Sequence, residues 1–331
     1  MNELNIRRFR WTILIGCLLL LIAIVLSLRL GAVNIPFAQL LEEITQRDGI
    51  IFDYRLPRLI IAICIGINMA IAGAMLQGVT RNPLAAPDVI GITAGGGLAT
   101  VILILAIPGF SQSMLPFFAF GGAICAGLLV FLLAYKKGIR PDRLALCGVA
   151  VSSGLQALIT LFIVKYAPSA AQALVWLKGS LYARTWEHVG LLWPWTVIGT
   201  ILALLSYRQL NVLLLSEEMV LGLGSRINQV RLLMIIISVA LAGSAVAVAG
   251  NIGFIGLVIP HLARLLVGSD FRLTLPTSAL LGAVLVVLAD TVGRIVMPPI
   301  EIPVGIITSL IGAPYFVYLL LRGRIAGKLE A

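Results

Sequence analysis

Few side chains in this sequence could carry chemistry, and most of those lie inside long apolar runs. Asp290 is the clearest acid within such a run, and Arg294 follows four residues later. At that spacing both project from one face of a helix and can pair. The pair is either a structural ion pair or part of a proton relay. Ser152, Gln156 and Thr160 recur at i, i+4 and i+8, with Ser153 beside them. They form a polar stripe along one helical face. In lipid, such groups turn toward a neighbouring helix or toward a water-filled path, and both readings stay open here. His188 and His261 are far apart, and Cys17, Cys64, Cys125 and Cys147 sit one apiece in separate runs. Neither set has the spacing of a metal or disulfide framework. The chain has no G-x-x-x-x-G-K-S/T phosphate cradle, no nucleophile elbow and no H-E-x-x-H. These residues point to passage rather than catalysis, with no cofactor and no metal. A membrane enzyme lacks any catalytic constellation here. An ion-coupled secondary carrier lacks the mid-membrane acid cluster that would serve it.

The elements that must position these residues are membrane helices. Of 331 residues, 60% are hydrophobic and 11% charged. That balance belongs to a polytopic membrane protein, because each span needs roughly 20 apolar residues. Ten spans are predicted at 11–30, 57–77, 89–107, 115–135, 143–164, 189–207, 231–249, 254–267, 275–296 and 303–321. Asn68 interrupts the second, and the eighth is short. Arg7, Arg8 and Arg10 precede the first run, which is too long for a signal h-region and has no small-x-small site after it, so it reads as an uncleaved span. With ten spans both ends share one side. That side holds sixteen of the 24 basic residues, which makes it cytoplasmic. The net charge of +10 therefore reflects topology and an anionic inner leaflet rather than nucleic acid.

Several local features refine this organisation. Trp176, Tyr182, Trp186, Trp193 and Trp195 cluster on the outer side, where a short surface helix near 170–178 is expected at the membrane interface. Gly91, Gly95, Gly96 and Gly97 allow close helix approach in the third span. Ala70-Ile71-Ala72-Gly73-Ala74 echoes Ala240-Leu241-Ala242-Gly243-Ser244 in a span of opposite direction. That is either chance or the trace of an inverted repeat. The cytoplasmic stretch 208–231 separates spans six and seven. Ser216, Glu217 and Glu218 have the composition of a helix start, and Gly222 and Gly224 break the helix after about two turns. Two short helices with an apolar face toward a partner are one reading, and a solvated loop is the other.

Three groups of residues carry a resemblance that covers nearly the whole chain. The first is Arg55-Leu56-Pro57-Arg58, then Gly73–Gln77 and Arg81-Asn82-Pro83-Leu84-Ala85-Ala86-Pro87. The second runs from Leu210-Asn211 through Glu217-Glu218 to Leu223-Gly224. The third is Gly253–Arg264, then Ala289-Asp290, Glu301–Gly305 and Gly312-Ala313-Pro314. The chain resembles the permease subunits of bacterial ABC importers for iron–siderophores, haem and cobalamin. The resemblance implies an all-α, ten-helix type II importer permease with inverted-repeat halves, in the bacterial cell membrane. It implies a homodimer or a heterodimer with a related permease, embedded in membrane lipid. Two cytoplasmic ATPase subunits and an extracytoplasmic binding protein complete the system. Cargo is expected to be a ferric siderophore, with cobalamin or haem as the alternative. Ser216, Glu217, Glu218, Leu221, Gly222, Leu223 and Gly224 become the ATPase-coupling segment. Arg55 and Arg294 match the arginines that pair with glutamates of the binding protein. Internal pairing, through Arg58 or Asp53 at one site and Asp290 at the other, is the competing account. Arg140-Pro141-Asp142 matches the family's inner gate in position only, so no gate residue is assigned.

Overall fold

The computed structural model describes residues 3–31, 36, 43, 45–47, 49–107, 109–136, 138–215 and 227–329. Twelve α-helices run through them: α1 (Glu3–Arg29), α2 (Leu56–Thr80), α3 (Ile92–Ala106), α4 (Leu115–Ala134), α5 (Pro141–Lys165), α6 (Ala171–Leu177), α7 (Trp186–Leu205), α8 (Tyr207–Leu213), α9 (Ile227–Ala249), α10 (Ile255–Val267), α11 (Phe271–Ile295) and α12 (Val304–Leu329). Among the described residues the only bridge of β type joins Tyr135 to Ile139. Seven helices are long and apolar enough to cross a membrane, and three shorter apolar ones begin at Ile92, Ile255 and Val304. A helix falls in each of the ten apolar stretches, and α6 and α8 are additional.

The core is built around α2 and α9, the two most enclosed long helices. α2 packs on α10 and α11, whereas α9 packs on α3 and α4. This exchange of partners between the first and second halves is the packing expected of an inverted repeat. The five-residue echo does not mark equivalent contacts, however. Gly73 meets Gly256 of α10, while Gly243 meets Ala123 and Phe120 of α4. Asn68 does not break α2. Its side chain is buried and donates to the Ser244 hydroxyl of α9 at 3.2 Å, joining the two central helices.

Of the ten helices that fall in predicted spans, two are too short to cross alone. α3 has 15 residues and α10 has 13. At about 1.5 Å per residue both fall short of the roughly 30 Å hydrocarbon core. Span three was expected from residue 89, but its helix starts only at Ile92, after Gly91 at φ 89°. α10 likewise follows Phe254, whose φ is 68°. Non-helical backbone therefore enters the interior at 81–91 and 250–254. Such backbone is tolerated at depth only where protein or a wet cavity surrounds it.

The short helix expected at the interface is α6, but it is not a surface anchor. Ala173 and Trp176 are buried. The helix ends at Gly179, φ 70°, where an added Cβ would lie 2.3 Å from the Asn251 carbonyl. Ser180 N–H donates to Ala249 O at 2.8 Å and Gly305 N–H donates to Gly179 O at 3.2 Å. Backbone bonding therefore ties α6 to the breaks before α10 and α12, and the indole turns inward with it.

Close approach of α2 and α10 requires Gly73. A Cβ there would sit 2.0 Å from the Gly256 carbonyl, whereas one at Gly154 of α5 would meet nothing within 4 Å. Gly73→Ala should therefore destabilise the detergent-solubilised subunit by at least about 1–3 kcal/mol, the usual cost of overpacking. Gly154→Ala should be neutral or stabilising by up to about 1 kcal/mol. Thermal unfolding of both variants checks this, and equal melting would contradict the packing.

Candidate functional site

Three groups of residues distinguish the two ends and the middle of this bundle. At the N-terminal end of α2, Arg58 makes a forked contact with Asp290 of α11, Nε at 3.0–3.1 Å and Nη2 at 2.8 Å. Its other nitrogen, Nη1, lies 2.8 Å from Glu301. Arg294 pairs with the same Asp290 at 3.3 Å. Its Nη2 also donates to the Ser27 hydroxyl at 2.8 Å and the Ser27 carbonyl at 3.1 Å. Arg55 donates to Leu28 O at 2.6 Å. Both arginines thus reach the C-terminal carbonyls of α1, which lack intrahelical donors and carry the negative end of the helix dipole.

Arg55 and Arg294 are close to one another, since a Cβ on Gly31 would lie 3.4 Å from the first and 3.7 Å from the second. Only 8% of Arg55 and 6% of Arg294 is exposed. In this conformation both arginines named as docking residues are turned inward. The competing partners are partly engaged: Asp290 holds Arg294, and Arg58 forms the centre of the cluster. Asp53 stays exposed. Sequence spacing identified the Asp290–Arg294 pair but not Arg58's dominance, because Arg58 and Asp290 are 232 positions apart.

An open-sided cavity of about 640 Å³ lies where the two short helices begin, with the exposed Leu310 and Ile306 on its rim. Asp88, Lys178, Asn251, Phe254 and Ser309 contribute to its wall. The Asp88 carboxylate accepts from the backbone N–H groups of Val89 and Phe254, so one acid ties the turn that precedes α3 to the start of α10. Ser152 donates to the Asp88 carbonyl at 3.2 Å. The top of the α5 stripe therefore secures this junction. Gln156 and Thr160 are exposed, and Thr160 donates to the Gln156 carbonyl of its own helix at 3.0 Å. The stripe thus divides: Ser152 contacts the fold, while Gln156 and Thr160 lie on an open face of α5.

Asp88 escaped the sequence reading because 81–88 reads as a polar connection rather than as backbone entering the bundle. Gln77 illustrates the same point. Its amide donates to the carbonyls of Gly256 and Leu257 at 3.1 and 3.2 Å. Pro260 has no N–H to offer Gly256 four residues back, so a side chain from α2 supplies it.

At the far end of α2, Arg81 donates to Leu213 O at 2.7 Å and also to Leu215 O. Asn211 Nδ2 donates to Asp270 at 2.7 Å, and Phe271 N–H donates to Asn211 at 2.9 Å. On the other flank, Arg231 donates to Ile139 O, and Ile139 N–H donates to Asn228 at 3.0 Å. The stretch 208–231 is therefore fixed at both ends, and α8 ends at Leu213, ahead of the helix start expected at Ser216. Ser216, Glu217, Glu218, Leu221, Gly222, Leu223 and Gly224 lie outside the described residues. This anchored stretch and the arginine cluster occupy opposite ends of α2.

A polytopic helical bundle with a cavity where two short helices begin and polar clusters at either end is the architecture of a membrane transport permease. The chain belongs to the FecCD transport family, which it matches over residues 19–322. It is 46% identical to the Fe(3+)-citrate import system permease protein YfmE of Bacillus subtilis, over 93% of this chain and 94% of that one. It is 41% identical to the iron(3+)-hydroxamate import system permease protein FhuG of the same organism, over 93% and 95%. To the Fe(3+) dicitrate transport system permease protein FecD of Escherichia coli it is 38% identical, over 94% and 96%. Among solved structures, an inward-facing metal-chelate type ABC transporter superposes with a TM-score of 0.83 at 33% identity, covering 95% of this chain and 99% of that one.

Asp290 compensates two arginines at once, with 3% of its side chain exposed. Breaking a buried pair by removing one partner typically costs about 3–5 kcal/mol. Asp290→Asn should therefore lower the melting temperature and the yield of the folded subunit. An unchanged melting temperature would show that Glu301 alone can hold Arg58 and that the cluster is not a structural keystone.

Proposed function

We propose that this chain is the translocation subunit of an ATP-driven importer of ferric siderophores. The observation that carries the proposal is full-length similarity to permeases of iron-citrate and iron-hydroxamate import systems. The sequence has no phosphate cradle of its own, so the energy must enter through separate ATPase subunits. In this reading two permease chains, alike or related, enclose a pathway, with one ATPase beneath each. An extracytoplasmic binding protein delivers cargo. Both termini face the cytoplasm, as the distribution of basic residues favours.

The ten predicted stretches line the membrane interior, α3 and α10 completing their passage with the non-helical backbone before them, and 208–231 is the surface that the ATPase grips. Its anchorage through Arg81, Asn211 and Arg231 supports this, because a force applied there would reach α2, α5 and α11 directly. ATP binding and release then bias two packings of the same helices. The binding protein docks at the opposite end, near Arg55 and Arg294. Their burial in this conformation implies that docking draws them away from the α1 carbonyls. Ser152, Gln156 and Thr160 border the pathway, the last two on the open face of α5.

Reconstitution with its ATPase and binding protein in proteoliposomes should give ATP-dependent uptake of a ferric citrate or ferric hydroxamate complex. Arg55→Glu combined with Arg294→Glu should abolish that uptake. Lysines in place of the acidic docking residues of the binding protein should restore part of it. Wild-type uptake by the doubly reversed permease, or no rescue at normal insertion and monodispersity, would sink the docking role.

A further inference from the structure

A second cavity, of about 630 Å³, opens on the other side of α6 from the Asp88 cavity. It lies between the start of α4, the outer part of α6 and the connection from α6 to α7. Gln172, Ser180, Arg184 and His188 give it a polar wall, and Leu115 and Pro116 give it an apolar one. Arg184 is the unusual member. Its Nη1 lies 3.4 Å from a ring nitrogen of His188. Its Nε is buried and has no hydrogen-bond partner. Among the described residues no carboxylate pairs with it. Burial lowers its pKa to about 10, with no acidic neighbour acting against that shift. Glu187 also borders the cavity, but its charge acts on His188. Arg184 is half-buried, and its enclosed, unpartnered Nε leaves the guanidinium able to take an anion from the cavity.

The surroundings indicate which anion. Met114, Phe117 and Phe118, at the start of α4, are 52%, 61% and 48% exposed. Trp186, Trp193 and Trp195 of α7 are exposed nearby, and Trp195 packs against Phe120 of α4 with ring centroids 4.8 Å apart. Exposed aromatic rings of this kind mark the boundary between headgroups and acyl chains. A soluble carboxylate would need the guanidinium but not the apolar helix beside it. A phospholipid uses both, because its phosphate suits the planar fork of an arginine and its chains cover α4.

We propose that this cavity is a specific site for an anionic phospholipid, with the headgroup phosphate on Arg184 and His188 and the acyl chains along the first turns of α4. The site is separate from the Asp88 cavity, since α6 stands between them. It supplies the charge that Arg184 lacks and clamps α6 to α4.

The test uses the purified full-length permease, freed of lipid in a neutral detergent. Dihexanoyl-phosphatidylglycerol, inorganic phosphate and citrate serve as separate probes, and binding is read by native mass spectrometry and by the shift in melting temperature. Wild-type protein should bind phosphatidylglycerol at least tenfold more tightly than Arg184→Gln does. Gln172→Glu keeps the guanidinium and places a carboxylate in the same cavity. It should lose phosphatidylglycerol binding to a similar degree while remaining as thermostable as lipid-free wild type, which separates lost binding from misfolding. Equal phosphatidylglycerol affinity in wild type and both variants would overturn the proposal. So would binding of phosphate or citrate as tight as that of the lipid, which would mark a soluble-anion site instead.

Discussion

The structure depends on one constraint: backbone polar groups at membrane depth must find partners inside the protein. Two helices begin in the interior, and each brings leading N–H groups without intrahelical acceptors. Asp88 meets part of that demand at α10 by accepting from Phe254, and it accepts from Val89 in the turn before α3, whose Ile92 N–H bonds back to Pro87 O. Ser152 then takes up the Asp88 carbonyl, and Gln77 supplies the donor that Pro260 cannot. α6 closes the remaining gap through Gly179, Ser180 and Gly305. The cavity at this junction is a consequence of the same demand. Helices that stop half-way leave space between their ends, and polar groups collect there to serve the exposed backbone.

Charge is distributed by a related rule. Asp290 and Arg294 can be buried, with Arg58 and Glu301 half-buried beside them, because each ion faces one of opposite sign. Arg55 and Arg294 add the helix-end carbonyls of α1 as further acceptors. At the other end, Arg81 and Arg231 also spend their guanidiniums on backbone carbonyls at the two flanks of the 208–231 stretch. Long, polyvalent donors thus join segments far apart in sequence at both ends of α2. This makes α2 a mechanical link between the two surfaces on which partners are proposed to act.

Legibility in the sequence followed the range of each interaction. Apolar runs reveal helices because the signal is local, and even α10 was visible as a short run. Asp290 and Arg294 were visible as a pair because they are one turn apart. Arg58 was less visible, since its acids belong to the other half of the chain. Asp88 was read as loop, because nothing local says that residues 81–91 fold inward. Trp176 was read as an interfacial anchor on composition, yet backbone bonds at Gly179 and Ser180, just after it, tie the end of α6 to the bundle and its indole is buried. Gln156 and Thr160 were recognised as one face of a helix, but only packing shows that this face is open within the subunit.

The central claim is that the open face of α5 and the Asp88 cavity border one path whose exposure changes with nucleotide. With Cys17, Cys64, Cys125 and Cys147 replaced, single cysteines at Gln156, Thr160 and Ser309 can be probed in the assembled transporter with a membrane-impermeant thiol reagent. The account predicts labelling at all three positions, with rates that differ between the nucleotide-free and ATP-bound states. Inert cysteines at all three positions in both states would contradict it and leave the α5 stripe as a helix-packing surface.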